Sequence, residues 1–125
     1  MSELDFSRQR RLLKAGDFRR VFDQADFKVS DQHILILART SLHAHSRIGL
    51  VIAKKGIKLA VHRNRIKRIV RESFRTLCTQ SNEFSLPLDI VILSRKGLGD
   101  LGNDAVPQLI IKQWARLRKK TAQSG

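Results

Sequence analysis

The stretch RIGLVIAKKGIKLAVHRNRIKRIVRESFRTL, residues 47–77, contains a change of hydrophobic period, and that change decides the fold. Residues 48–53 form a short apolar run rich in β-branched side chains, the pattern of a buried strand. Lys54, Lys55 and Gly56 end it. Further on, the apolar positions space out by three and four. Ile66, Ile69, Val70, Phe74 and Leu77 gather on one side of a 100° wheel. That spacing predicts an amphipathic helix over 59–77, docked on a sheet by this face.

The opposite face of the same helix carries Arg63, Arg65, Lys67, Arg68, Arg71 and Arg75, with Glu72 as its acid and Asn64 among the cations. A solvated face is the ordinary meaning of a charge run, but three features oppose it here. Arg63, Lys67, Arg71 and Arg75 form like-charged i,i+4 pairs, each destabilising by about 0.2–0.5 kcal/mol. Arg63 and Arg65 sit near the helix N-terminus, where the dipole disfavours cations by about 0.3–1 kcal/mol each. Arginine dominates, and its planar fork suits phosphate oxygens. A polyanion-binding face explains all three.

Outward from this unit, residues 34–38 and 89–93 read as two more strands. Phe18, Val21, Phe22 and Ala25 fall at helical spacing and predict a short helix over 15–25. A last helix starts near Asp104, with Pro107 tolerated in its first turn and Val106, Ile110, Trp114 and Leu117 as its stripe. Residues 80–85 and the glycine-containing 95–103 read as loops, the latter flexible. The expectation is one α+β domain spanning 1–125, with an ordered core of about 10–118 and flexible ends at 1–10 and 119–125. Its architecture is a two-layer α/β sandwich around a small mixed sheet, in the order α-β-β-α-β-α.

Composition supports a binder. Twenty-five Lys and Arg against 11 Asp and Glu leave a net charge of +14, which favours a polyanionic partner. Nine of these cations fall between Lys54 and Arg75. The chain has one cysteine, Cys78, so it has no internal disulfide, and the four histidines form no ligand cluster. Metal: none is the expectation. The N-terminus lacks an apolar h-region, and no run reaches the roughly 18–20 apolar residues of a membrane span. A cytoplasmic protein is expected. Gly97, Gly99 and Gly102 lack the Gly-Lys-Ser/Thr of a phosphate loop. No catalytic constellation stands out, and Asp89 and Glu72 read as isolated acids. No helix at helix-turn-helix spacing precedes 59–77, so RNA is favoured over DNA. An amphipathic helix lying on a membrane would expose apolar residues that here belong to the core. Phe18 and Phe22 share a helix face flanked by Arg19 and Arg20. That face is either core or a stacking surface for unpaired bases.

Residues 47–55, followed by Ala60-Val61-His62-Arg63-Asn64-Arg65-Ile66-Lys67-Arg68, resemble the signature of the bacterial ribonuclease P protein subunit. The Arg63-Asn64-Arg65 tripeptide continues through Arg71, Glu72 and Phe74, and residues 18–22 look like that family's first helix. The resemblance covers roughly 10–118. It implies a left-handed βαβ crossover, where general topology favours a right-handed one. It also implies a noncatalytic protein subunit of a tRNA-processing endoribonuclease. That enzyme hydrolyses one phosphodiester bond to remove the 5′ leader of precursor tRNA. Catalysis and Mg²⁺ belong to the RNA subunit, and the protein binds no cofactor of its own. By the same resemblance, Arg63, Asn64, Arg65, Lys67, Arg68, Arg71 and Arg75 contact the catalytic RNA. Phe18, Arg19, Phe22, Lys54 and Lys55 line a cleft for the single-stranded leader. The partners are the catalytic RNA and precursor tRNA, with one monomeric protein per RNA. The chain departs from its relatives in having no tyrosine. Ile36 stands where some relatives place a cleft aromatic. A basic ribosomal or ribosome-assembly protein is the alternative.

Overall fold

A computed structural model describes residues 15–42, 45–54, 57–79, 84, 86–102 and 104–124. The elements are α1 (Ala15–Asp23), β1 (Phe27–Ser30), β2 (Ile34–Thr40), β3 (Arg47–Val51), α2 (Ala60–Thr79), β4 (Leu88–Ser94), a 3-10 turn (Leu98–Asp100) and α3 (Ala105–Ser124). The fold is α+β, with one mixed four-stranded sheet of order β1-β2-β4-β3. β2 pairs antiparallel with β1 and β4, and β3 pairs parallel with β4. The parallel pair is joined through α2, because parallel neighbours need a long crossover connection.

Register assigns the two faces. Ile36 lies opposite Ile92, and Ile48 opposite Ile90. Together with Ile34, Ala38 and Val29 they meet Ile66, Val70 and Phe74 of α2 and Val106, Ile110, Trp114 and Leu117 of α3 in the main core. Phe74 is fully buried, its ring centroid 5.7 Å from that of Trp114. The indole N–H of Trp114 donates to Ser73 Oγ at 2.8 Å, so the buried ring leaves no polar atom unsatisfied. On the reverse face, Val91 and Val21 form a smaller cluster with Phe18, Leu37 and Leu93. α1 therefore lies across the back of the sheet. It adds a partial layer to the expected sandwich of sheet, α2 and α3.

The structure revises the expected element order to α-β-β-β-α-β-α. The added strand, β1, has four residues and alternates polar and apolar side chains. A tight turn holds it to β2. The Asp31 N–H donates to the Ile34 carbonyl at 2.9 Å, and Asp31 Oδ2 accepts from the His33 N–H at 2.9 Å.

The C-terminal segment expected to be loose from 119 onward is helical to Ser124. Thr121 is fully buried there, and its hydroxyl donates to the Arg118 carbonyl at 2.9 Å. The described part of the glycine loop, residues 95–102, contains the 3-10 turn Leu98–Asp100. Gly97 has φ 89°, a left-handed conformation that favours glycine. A Cβ on Gly99 would come within 2.9 Å of the Ile57 side chain. Leu98 between them is buried in the core. The N-terminal end expected to be flexible lies outside the described residues.

Candidate nucleic-acid interface

α1 stands at the back of the sheet because an ion-pair cluster fixes it there. The Arg47 guanidinium binds Asp89 through both oxygens, Nε to Oδ1 at 3.0 Å and Nη2 to Oδ2 at 2.9 Å. The same Nη2 reaches Asp17 of α1 at 3.3 Å. Arg20 of α1 lies 3.8 Å from Asp89, and it donates to the Thr40 carbonyl at 3.3 Å. Asp89 is only 2% exposed. The hydrogen bonding that the Arg47 guanidinium donates to Asp89 raises the Arg47 pKa above its ordinary value, although burial opposes it. Asp89 is therefore not an isolated acid. It is a buried carboxylate shared between β3, β4 and α1. Its position inside the apolar run of β4 was the available signal, because a buried charge requires a partner.

A cleft of ≈ 710 Å³ opens between α1 and the free edge of the sheet. Phe18, Arg19 and Phe22 of α1 line one side, and Leu50, Val51 and Ile52 the other. Lys67 of α2 closes it. Phe22 is 45% exposed, while Phe18 is half-buried and shared with the Val21–Val91 cluster. The core and cleft readings of the two phenylalanines thus separate: Phe18 serves both, and Phe22 faces outward.

Three of the five expected cleft residues, Phe18, Arg19 and Phe22, stand on this wall. Lys54 is exposed just beyond β3. The Ala53 N–H donates to Ser94 Oγ at 2.8 Å, which holds that strand end to β4. Lys55 lies outside the described residues. Ile36 does not face the cleft: it is fully buried in the main core. The aliphatic wall of Leu50, Val51 and Ile52 was missed. β3 is an edge strand only once β4 has inserted between β2 and β3, and the order of strands is not written in their local pattern.

The cations of α2 divide into groups. Arg63 folds back on the preceding loop, donating to the Ile57 carbonyl at 2.7 Å and to the Lys58 carbonyl at 2.8 Å. Lys67 belongs to the cleft rather than only to the outer face. Asn64, Arg68 and Arg71 are exposed, and Arg65 and Arg75 are half-buried. Glu72 is ion-paired with Arg75 one turn on, and that hydrogen bond holds its carboxyl below the usual range. Glu72 is therefore not the isolated acid expected from the sequence; its i,i+3 spacing to Arg75 was the available signal.

Among the described residues, no group of three or more His, Cys, Asp or Glu side chains could hold a metal ion. No described helix is long and apolar enough to cross a membrane.

The family model described as Ribonuclease P matches residues 6–118. The chain belongs to the ribonuclease P protein family. It is 47% identical over 126 residues to the ribonuclease P protein component of Azotobacter vinelandii, covering 100% of this chain and 93% of that protein. The protein component of Pseudomonas aeruginosa is 49% identical over 117 residues, covering 94% of this chain and 84% of that one. The solved ribonuclease P protein of Thermotoga maritima superposes with a TM-score of 0.70 at 27% identity, over 85% of this chain and 96% of that one. A ribosomal or ribosome-assembly protein is not favoured by these matches. For a ribonuclease P protein, the two features built above, a cationic helix and an adjoining aromatic-edged cleft, are the surfaces to interpret.

Proposed function

We propose that the protein is the noncatalytic subunit of a tRNA-processing ribonuclease P, and that it uses two adjoining surfaces on two RNAs. The outer face of α2, with Asn64, Arg65, Arg68, Arg71 and Arg75, docks on the catalytic RNA. The cleft beside it, edged by Phe18, Arg19, Phe22 and Lys67, takes the single-stranded 5′ leader of precursor tRNA. Lys54, exposed just beyond β3, extends its positive field. One monomeric protein serves one RNA, in the cytoplasm.

The observation that carries this reading is the pairing of chemistries across α2. Arginines on an exposed helix suit the phosphates of a folded RNA, which positions a complex without reading its sequence. Exposed Phe22 beside Arg19 and Lys67 suits unpaired bases with their phosphates, because stacking and charge together recognise single strands. The Arg47–Asp89 cluster maintains the cleft by holding α1 against the sheet.

The phosphodiester hydrolysis and its Mg²⁺ ions belong to the RNA in this reading. Asp89 and Glu72 are committed to Arg47 and Arg75, and no metal-binding group stands beside the cleft among the described residues. The protein raises precursor affinity and broadens the range of leaders cleaved.

The test mixes the protein with a bacterial ribonuclease P RNA and a precursor tRNA at low Mg²⁺. Faster leader removal than with RNA alone is expected. Equal rates with and without the protein would sink the proposal.

A further inference from the structure

A second large cavity lies on the other flank of α2, away from the cleft. It is a groove of ≈ 640 Å³ between α2 and α3, within the range of about 300–1,000 Å³ typical of small-ligand sites. Its lining combines buried apolar side chains, Leu77 and Trp114, with Ile111, which is 62% exposed. Arg68 of α2 and Arg118 of α3 border it.

We propose that this groove is a second RNA subsite, which takes one unpaired base with its phosphates on Arg68 and Arg118. The inference rests on the RNA-binding reading above. An apolar interior beside cationic side chains matches a nucleotide, a flat π-face with an anion one sugar away. The bordering acid, Glu72, is already held by Arg75, so it does not repel a phosphate as a bare carboxylate would. A basic peptide is disfavoured by the net charge of +14. A lipid surface would need a broad row of exposed apolar side chains, and Ile111 is the exposed large hydrophobic residue that lines this groove. Arg68 also belongs to the outer face of α2, so one RNA strand can pass from that face into the groove.

Trp114 is the chain's single tryptophan, and it lines the groove, which makes the protein its own reporter. The full chain is titrated with a short, end-labelled single-stranded oligoribonucleotide, reading label anisotropy and tryptophan emission together. Emission should fall saturably in step with the rise in anisotropy. Ile111→Glu, at an exposed position, should abolish the quenching and weaken binding about tenfold. Arg118→Gln, which leaves the apolar lining intact, should weaken binding several-fold. Phe22→Ala should leave the quenching in place. A rise in anisotropy with unchanged emission, or undiminished quenching in Ile111→Glu, overturns the groove while leaving RNA binding at the other surfaces intact. No rise in anisotropy at all overturns both readings.

Discussion

Replacing Arg47 with methionine removes the cation that joins β3, β4 and α1 while keeping most of the side-chain volume. Asp89 is then left with Arg20 at 3.8 Å as the remaining cation of the cluster, in a site where its side chain is 3% exposed. Two short charge-assisted hydrogen bonds, at 3.0 and 2.9 Å, are lost. Removing one partner of a buried pair typically destabilises by about 3–5 kcal/mol, and here the remaining carboxylate is shielded from water and keeps only the longer contact to Arg20. That is a large share of the roughly 5–15 kcal/mol stability of a small domain. At about 3–4 °C per kcal/mol for a chain of this size, the melting temperature should fall by roughly 10–20 °C.

The pH dependence has a definite sign. A raised arginine pKa means that Arg47's contribution is fully present below its unfolded value, and is lost only as pH rises through the folded one. The gap between wild type and Arg47→Met should therefore stay level between about pH 6 and pH 9. Urea unfolding of Arg47→Met, Asp89→Asn and the double variant gives the coupling directly. A loss below about 1 kcal/mol for Arg47→Met, or additive single losses, would refute the claim that a buried pair fixes α1.

Other expectations concern the separate roles of the cations and aromatics. Arg63→Ala should lower stability by about 1.5–3 kcal/mol, measured by denaturant unfolding, because two charged hydrogen bonds to backbone carbonyls are lost. Arg68→Ala, at an exposed position, should leave the melting temperature unchanged and reduce the salt slope of catalytic-RNA binding by about 0.7–0.9. Phe74→Ala should remove about 3–5 kcal/mol, since its ring is fully buried against Trp114. Glu72→Gln should abolish the small stability contribution that Arg75 confers on the ionised carboxylate. That contribution is present above the unfolded carboxyl pKa and disappears as pH falls through the lowered one, so wild type and variant should melt alike in acid.

The parts of the fold readable from residues alone were those with an unambiguous period. α2 spans Ala60–Thr79 against an expectation of 59–77, because its apolar residues keep strict helical spacing over several turns. β2, β3 and β4 were found as β-branched runs. β1 was not, because four residues with polar alternation look like a turn until an edge of the sheet claims them. Lys119 and Lys120 disguised the end of α3, whose buried Thr121 carries no hydrophobic signature. At the site, a wheel places Lys67 beside Arg68 but cannot say what lies on either flank. α1 on one side and α3 on the other give the two residues different neighbours. The Arg47–Asp89–Asp17 cluster was invisible for the same reason. Its members are 30 and 42 residues from Arg47; strand pairing brings Asp89 to it and the packing of α1 on the sheet brings Asp17.

Comparing how the assembled enzyme binds precursor and mature tRNA tests the leader cleft most directly. Phe22 is the better probe than Phe18, because its ring is exposed and carries little of the core. Phe22→Ala should weaken precursor tRNA binding by about five- to tenfold, the loss of one stacked base, with the melting temperature and mature tRNA affinity unchanged. Equal loss for both tRNAs, or no loss for the precursor, would contradict the assignment of the leader to the cleft between α1 and β3.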